Sequence, residues 1–334
     1  MTTVLLAVAL LQAAADQLAA RALEAAQAGD AVSAEKLWKE ALGRAPNHHA
    51  SLFNLGVMLH RQRRSADAVP LLDRAATVQP GYEVHLIRGQ NLQHLERREE
   101  AIRAWLAALR FQPANVKLMQ VVSLEYSKGR YFHEAAAMAR QALRSAPNDL
   151  NLYLIAVKAL QDAGNHDAAS LLAAEAAAKF PDSARAQFEA GFHLQKRGAT
   201  EKALAHLERA MALDANYEEP YYFYGDLLVR QSKYAESIEP LQKAIAIRPG
   251  YAPARVSLAR ALSNLDRVPE ALVELESATI VDPKNAQPWV LLSQLYFRLG
   301  EEAKAENAKQ TSLRLRREFP SVLEALQARP FPAR

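Results

Sequence analysis

The chain has 334 residues, half of them hydrophobic and 23% charged, which is enough apolar material for a large core and excludes global disorder. Glycine (12 residues) and aromatics (24 residues) are sparse, which argues against an all-β fold. Cysteine is absent, excluding disulfides, thiolate metal sites and cysteine nucleophiles, and the net charge of only +4 gives weak support for a polyanionic partner.

At the N-terminus, Met1-Thr2-Thr3 precedes an apolar run from Val4 to Leu11 and then Ala13-Ala14-Ala15. A short apolar stretch closed by Ala-x-Ala reads as a secretory signal cleaved after Ala15, placing the protein in the periplasm or outside the cell. The alternative is an apolar helix that caps the first structural unit of a cytoplasmic protein. Residues 1–15 carry no lysine or arginine, which weighs against the signal. No other stretch approaches a membrane span.

From residue 15 onward the chain is periodic. Prolines at 46, 80, 113, 147, 181, 249 and 283 are separated by 34, 33, 34, 34, 68 and 34 residues, the long gap being two periods with Ala215 in the vacant place. Twelve residues before each mark stands a small residue: Ala34, Ala68, Ala101, Ala135, Ala169, Ala203, Ser237 and Ala271. Five before it stands alanine, from Ala41 and Ala75 to Ala244 and Ala278. A fourth column, at the eighth position of each period, reads Ala22, Gly56, Gly89, Ser123, Gly191, Gly225, Ala259 and Ser293, with Val157 the exception. Small side chains at a helix crossing permit close approach, so each period predicts two antiparallel amphipathic helices. Gly29, Gly164, Gly198 and Gly300, with Gly129 one place early, mark the turn between them. The period proline ends the second helix, and Pro220, Pro253, Pro269 and Pro288 fall in first turns where no backbone donor is lost.

Leu52, Leu55, Gly56, Leu59, Ala68, Leu72, Ala75 and Pro80 together resemble the tetratricopeptide repeat, as do Trp289, Leu292, Tyr296 and Ala305 in the last period. The resemblance covers nine repeats, approximately 15–48, 49–81, 82–115, 116–149, 150–183, 184–217, 218–251, 252–285 and 286–319. It implies an all-α fold: an α-solenoid, a right-handed superhelix of stacked antiparallel helix pairs. Arg21 in the first repeat and Lys309 in the last depart from the core pattern, as polar solenoid ends do. After Pro320, Ser321 to Glu324 fits a capping box, predicting a short closing helix before the Pro330/Pro332 tail at 320–334.

No phosphate loop, nucleophile elbow or His-Glu-x-x-His pattern occurs. The nine histidines are scattered and read as solvated surface residues, including the His48-His49 pair in a loop. Carboxylate pairs such as Glu99-Glu100 fall on outward second helices. The repeats consume the chain, so the expectation is a non-enzymatic protein with no catalytic residue, cofactor or metal.

A helical-repeat array offers a concave surface instead. In tetratricopeptide repeats, first-helix positions 2, 5, 9, 12 and 13 line it. Carried over, these give nine cations (Arg61, Lys117, Lys128, Lys158, Arg185, Lys196, Arg230, Arg260, Arg298) against five acids (Asp16, Glu83, Asp162, Glu219, Asp226). The densest stretch, in repeats six to eight, combines Phe188, Phe192, Tyr222 and Val256 with Arg185, Lys196, Arg230 and Arg260; Asp226 is placed to pair with Arg230. Tyr221 and Tyr224 take core positions, and Phe223 faces the neighbouring repeat. The lysine–asparagine carboxylate clamp of chaperone-binding relatives is not matched in any repeat, and the asparagine ladder of glycosyltransferase-linked arrays survives only as Asn54.

The expected function is that of a bacterial, exported interaction scaffold holding an extended peptide or partner protein in this groove. The alternatives are a single-stranded RNA-binding array, for which the groove lacks side chains repeated at fixed positions, and a regulatory subunit of an enzyme or envelope assembly. A nucleic-acid partner is the less favoured reading.

Overall fold

The computed structural model describes residues 2–319; the predicted capping box and the 320–334 tail lie outside the described residues. Among the described residues there are eighteen α-helices and no strand, giving the nine predicted helix pairs. They fall into two units, one up to Pro147 and one from Asn148.

The first unit contains α1 (Thr2–Gln27), α2 (Ala31–Arg44), α3 (His49–Arg61), α4 (Ser65–Val78), α5 (Tyr82–His94), α6 (Arg98–Phe111), α7 (Val116–Lys128) and α8 (Phe132–Ser145). The second contains α9 (Leu150–Asp162), α10 (His166–Lys179), α11 (Ala184–Lys196), α12 (Thr200–Leu213), α13 (Glu218–Arg230), α14 (Tyr234–Ile247), α15 (Ala252–Asn264), α16 (Val268–Val281), α17 (Ala286–Arg298) and α18 (Glu302–Glu318).

The sequence columns are the contact points of each pair. Alanines 41, 75, 108, 142, 176, 210, 244 and 278 are fully buried, and their carbonyls accept the last helical bond of each second helix. Opposite the eighth-position residue lies the side chain sixteen residues on. A Cβ added at Gly56 would lie 2.8 Å from Leu72, at Gly225 2.6 Å from Leu241, and at Gly191 3.0 Å from Leu207. Where the first helix is bulkier, its counterpart shrinks. Val157 and Ala173 share this register and are both buried, which explains the one exception to the small column. Serine uses the closeness differently: Ser123 and Ser293 donate to the carbonyls of Ala135 and Ala305 at 2.9 and 2.8 Å.

Every turn inside a pair has one geometry. The amide three residues past the first helix reaches back five residues, as in Arg64 to Leu59, Asn165 to Leu160 and Lys233 to Leu228. The residue just before it is left-handed in all nine turns. Four of them use glycine, with φ from +74° to +83°, but Arg63, Glu96, Arg130, Ser232 and Asp266 hold φ from +59° to +66°. The left-handed place in the fourth turn is thus Arg130 and not Gly129, whose φ is −78°. Gly129 is needed for space, since a Cβ there would lie 2.5 Å from the Tyr131 ring. Two prolines also depart from the scheme. Pro70 and Pro240 lie inside α4 and α14 on exposed or half-exposed faces, where the carbonyls they leave unbonded are open to water.

Two histidines are not surface residues as expected. His48 is buried and caps α3: its Nδ1 accepts from the Ser51 amide, so Nε2 carries the proton and donates to Asp16 at 2.8 Å. His193, on α11, is 1% exposed. Neighbouring helices close over both, a fact of packing that local polarity does not reveal.

In the middle of α1, Ala15 at the predicted cleavage point is fully buried with Leu18 against Ala41. Val8, Leu10 and Leu11 remain exposed. No helix among the described residues is long and apolar enough to cross a membrane.

Candidate functional site

The predicted cluster in repeats six to eight lies within the second unit, on α11, α13 and α15. Phe188 and Phe192 are one turn apart on α11, with ring centroids 6.0 Å apart. Both reach Phe223 of α13, at 5.5 and 5.1 Å, so Phe223 faces the neighbouring repeat as its register implies. Tyr222 continues the series, 4.8 Å from Phe223 and 5.0 Å from Tyr251. Tyr217 flanks Phe188 at 5.3 Å. Six rings therefore form one ladder across the boundary of repeats six and seven, most of its contacts edge-to-face, a geometry that favours aromatic pairs. Its ends carry cations: Lys196 lies 4.4 Å above Phe192, and Arg248 lies 3.7 Å from the Tyr251 centroid.

Tyr217 and Tyr251 were not among the predicted site residues. They sit in the capping column just before α13 and α15, where other repeats have His48, Asn115, Asp149, Ser183 and Asn285. Two aromatics in a column of capping residues were the signal available in the sequence.

The ladder is partly submerged. Phe188 and Val256 are buried, whereas Phe192, Tyr222 and Phe223 are half-buried and offer ring surface. Burial, together with the nearby Asp226 carboxylate, pushes the Tyr222 phenol up to about 12, against the opposing pull of Arg230 and Arg260. Burial also raises the Glu189 carboxyl above its usual range and lowers Lys196, which Lys158 lowers further.

Asp226 does pair with Arg230, at 2.8 Å, and it also accepts from Ser257 at 2.8 Å across the repeat boundary. It is 5% exposed, so it belongs to the groove's support more than to its surface. Other inner cations are likewise committed: Lys158 to Asp162, Lys128 to Glu125 and Arg298 to Asp266. In the second unit Arg185, Lys196 and Arg260 have no ion pair among the described residues. Among the described residues of the second unit, the inner-face cations without an ion pair are thus those three.

A cavity of about 760 Å³ opens beyond Arg260, bounded also by Lys284, Val290, Leu291, Arg316 and Phe319. Sequence reasoning did not find it, because Lys284 lies in a turn and Arg316 and Phe319 belong to the end of a second helix. Among the described residues no group of three histidine or carboxylate side chains is placed to hold a metal ion.

Models described as tetratricopeptide repeat match residues 19–83 and 193–252, and residues 228–289. The chain is 37% identical over 86 residues to the inactive TPR repeat-containing thioredoxin TTL3 of Arabidopsis thaliana. That match covers 26% of this chain and only 12% of the relative, so most of the relative lies outside it. Among solved structures, it is similar to one from the APC/C hetero-tetramer Cut9-Hcn1, with a TM-score of 0.57 at 15% identity over 89% of this chain and 58% of that one. PilW, a widely conserved type IV pilus biogenesis factor, matches with a TM-score of 0.54 at 21% identity over 63% of this chain and 96% of that one. At these identities the structural likeness concerns the fold.

Proposed function

The chain is a tetratricopeptide-repeat protein, and from that premise we propose that it holds an extended segment of a partner protein along the inner face of repeats six to eight. It acts as a non-enzymatic scaffold there. The observation that carries this reading is the aromatic ladder, whose half-buried members Phe192 and Tyr222 lie beside Arg185, Lys196 and Arg260, cations with no ion pair among the described residues. Half-buried aromatics on a rigid helix face bury large area at little entropic cost and dominate interface energetics. An extended segment with apolar anchors fits a surface in which like positions of successive helices align.

RNA is the weaker reading. Sequence-tolerant RNA binding requires rings free to stack on bases. Here the rings pack edge-on or tilted against one another, and Phe188 and Tyr251 are buried.

The test is affinity capture with the tagged chain, with and without nuclease, alongside a Phe192→Ala/Tyr222→Ala variant whose helicity is checked by circular dichroism. Each truncation is expected to cost on the order of 2 kcal/mol of binding. Capture that survives nuclease and is lost in the folded variant supports the proposal. Capture abolished by nuclease, or unchanged in the variant, rejects it.

Export is a separate proposal, supported by the Val4–Leu11 run and Ala-x-Ala. The burial of Ala15 supports the capping-helix alternative. Mass spectrometry of the natural N-terminus separates them: a start at Asp16 means export, and an intact Met1 or Thr2 means retention.

A further inference from the structure

The cavity beyond Arg260 has a composition unlike the ladder. Three cations border it, from three different elements: Arg260 on α15, Lys284 in the turn before α17, and Arg316 on the last turn of α18. No carboxylate lines it, and none of the three cations is in an ion pair among the described residues. Neighbouring cations are matched, as Arg267 is to Glu270 and the half-buried Arg255 to Glu274. The wall between the cations is mixed, with Asn285 and Gln287 beside an apolar strip. Val290 and Leu291 are half-buried on α17, and Phe319 is 44% exposed with the Lys284 ammonium 5.2 Å from its ring centre.

Three unmatched positive charges around an aliphatic and aromatic strip call for a ligand that is anionic and apolar at adjoining points. Arginine forks and a lysine suit a carboxylate, and the strip suits a neighbouring side chain. Arg260 also connects this cavity to the ladder, since it is close enough to Tyr222 to act electrostatically on its phenol. A chain lying on Phe192 and Tyr222 and continuing past Arg260 therefore enters the cavity.

We propose that this end pocket selects an acidic residue, Asp or Glu, next to a large apolar one within the bound segment. The inference rests on the groove reading above and adds the chemistry of the partner. The pocket is built from a turn and a second helix as well as α15, so it does not depend on any pair of positions on a single first helix.

The test selects a displayed library of internal peptides of about twelve residues on the full chain, then measures resynthesised, C-terminally amidated winners by fluorescence anisotropy. Winners are expected to carry Asp or Glu within two residues of Leu, Met or Phe. Changing that acid to its amide, or the protein to Lys284→Glu/Arg316→Glu, should each weaken binding about tenfold, and the two changes together should cost little more than either. Added salt should weaken the acidic peptide much more than its amide counterpart.

Winners without an acid, or an acid whose loss is indifferent to the pocket variant, overturn the proposal. Peptides that are lost in Phe192→Ala/Tyr222→Ala but are unaffected by Lys284→Glu/Arg316→Glu leave the groove reading standing and remove the pocket. Peptides with the opposite behaviour keep the pocket and remove the ladder. A selection that enriches nothing counts against both.

Discussion

Replacing Gly225 by alanine tests whether the small column is a packing requirement, because it sets two opposed effects against each other. In a helix interior, glycine to alanine gains about 1 kcal/mol from reduced backbone entropy. Gly43, in the last turn of α2, has nothing within 4 Å of an added Cβ, so Gly43→Ala should show that gain without a packing cost. At Gly225 the Cβ would lie 2.6 and 2.9 Å from Cγ and Cδ2 of Leu241 and 3.3 Å from the Ser237 carbonyl. Ordinary carbon contacts are about 3.5–4.0 Å, so the overlap is close to 1 Å. Leu241 is 0% exposed and has no open side to swing into. Relief therefore requires α13 and α14 to separate, an overpacking cost of about 1–3 kcal/mol. Subtracting the control cancels the propensity gain, so Gly225→Ala should be less stable than Gly43→Ala by about 1–3 kcal/mol relative to the parent. Repeat arrays need not unfold in one step, so native-state hydrogen exchange is the suitable readout. Amides of α13 and α14 should exchange about tenfold faster in Gly225→Ala, while those of α2 should slow in Gly43→Ala. Equal stabilisation by both substitutions would refute the packing account of the column.

His193 gives a pH dependence. Burial, aided by Lys196 and His166, lowers its pKa to about 4, so the folded chain holds it neutral while the unfolded chain protonates it near 6.5. Stability should therefore fall by up to about 3 kcal/mol as pH drops from 6.5 to 4, less the opposing contribution of Glu189, whose raised carboxyl takes up a proton in the folded state. His193→Leu should flatten that slope in denaturant titrations at several pH values; an unchanged slope would place the titration elsewhere. At the turns, Ser232→Gly should raise stability by about 0.5–1 kcal/mol by removing the left-handed penalty, and Gly198→Ala should lower it by a similar amount. Thermal melts of the two variants shifting in the same direction would contradict that turn account.

The sequence by itself determined the number of repeats, their phase and which residues meet inside each helix pair. Those features depend on periodicity, and the phased proline, alanine and small-residue columns encode it directly. The central ladder residues Phe188, Phe192, Tyr222 and Phe223 were legible for the same reason, since like positions of successive repeats align. Only the tertiary structure decided what depends on volume and on neighbours distant in sequence. Val157 breaks the small column harmlessly because the residue sixteen places on is Ala173, a compensation visible only once the two helices face each other. Arg130, and not Gly129, takes the left-handed place because it stands in the same turn register as Gly164 and Gly198, while Gly129 leaves room for the Tyr131 ring. His48 and His193 become interior groups because packed helices close over them, which no local signal of polarity foretells. Likewise, which inner cations remain free depended on carboxylates brought in by other turns and helices, such as Asp266 for Arg298. Charge pairing is a property of three-dimensional distance, and among the described residues it left Arg260, Lys284 and Arg316 unmatched around one cavity.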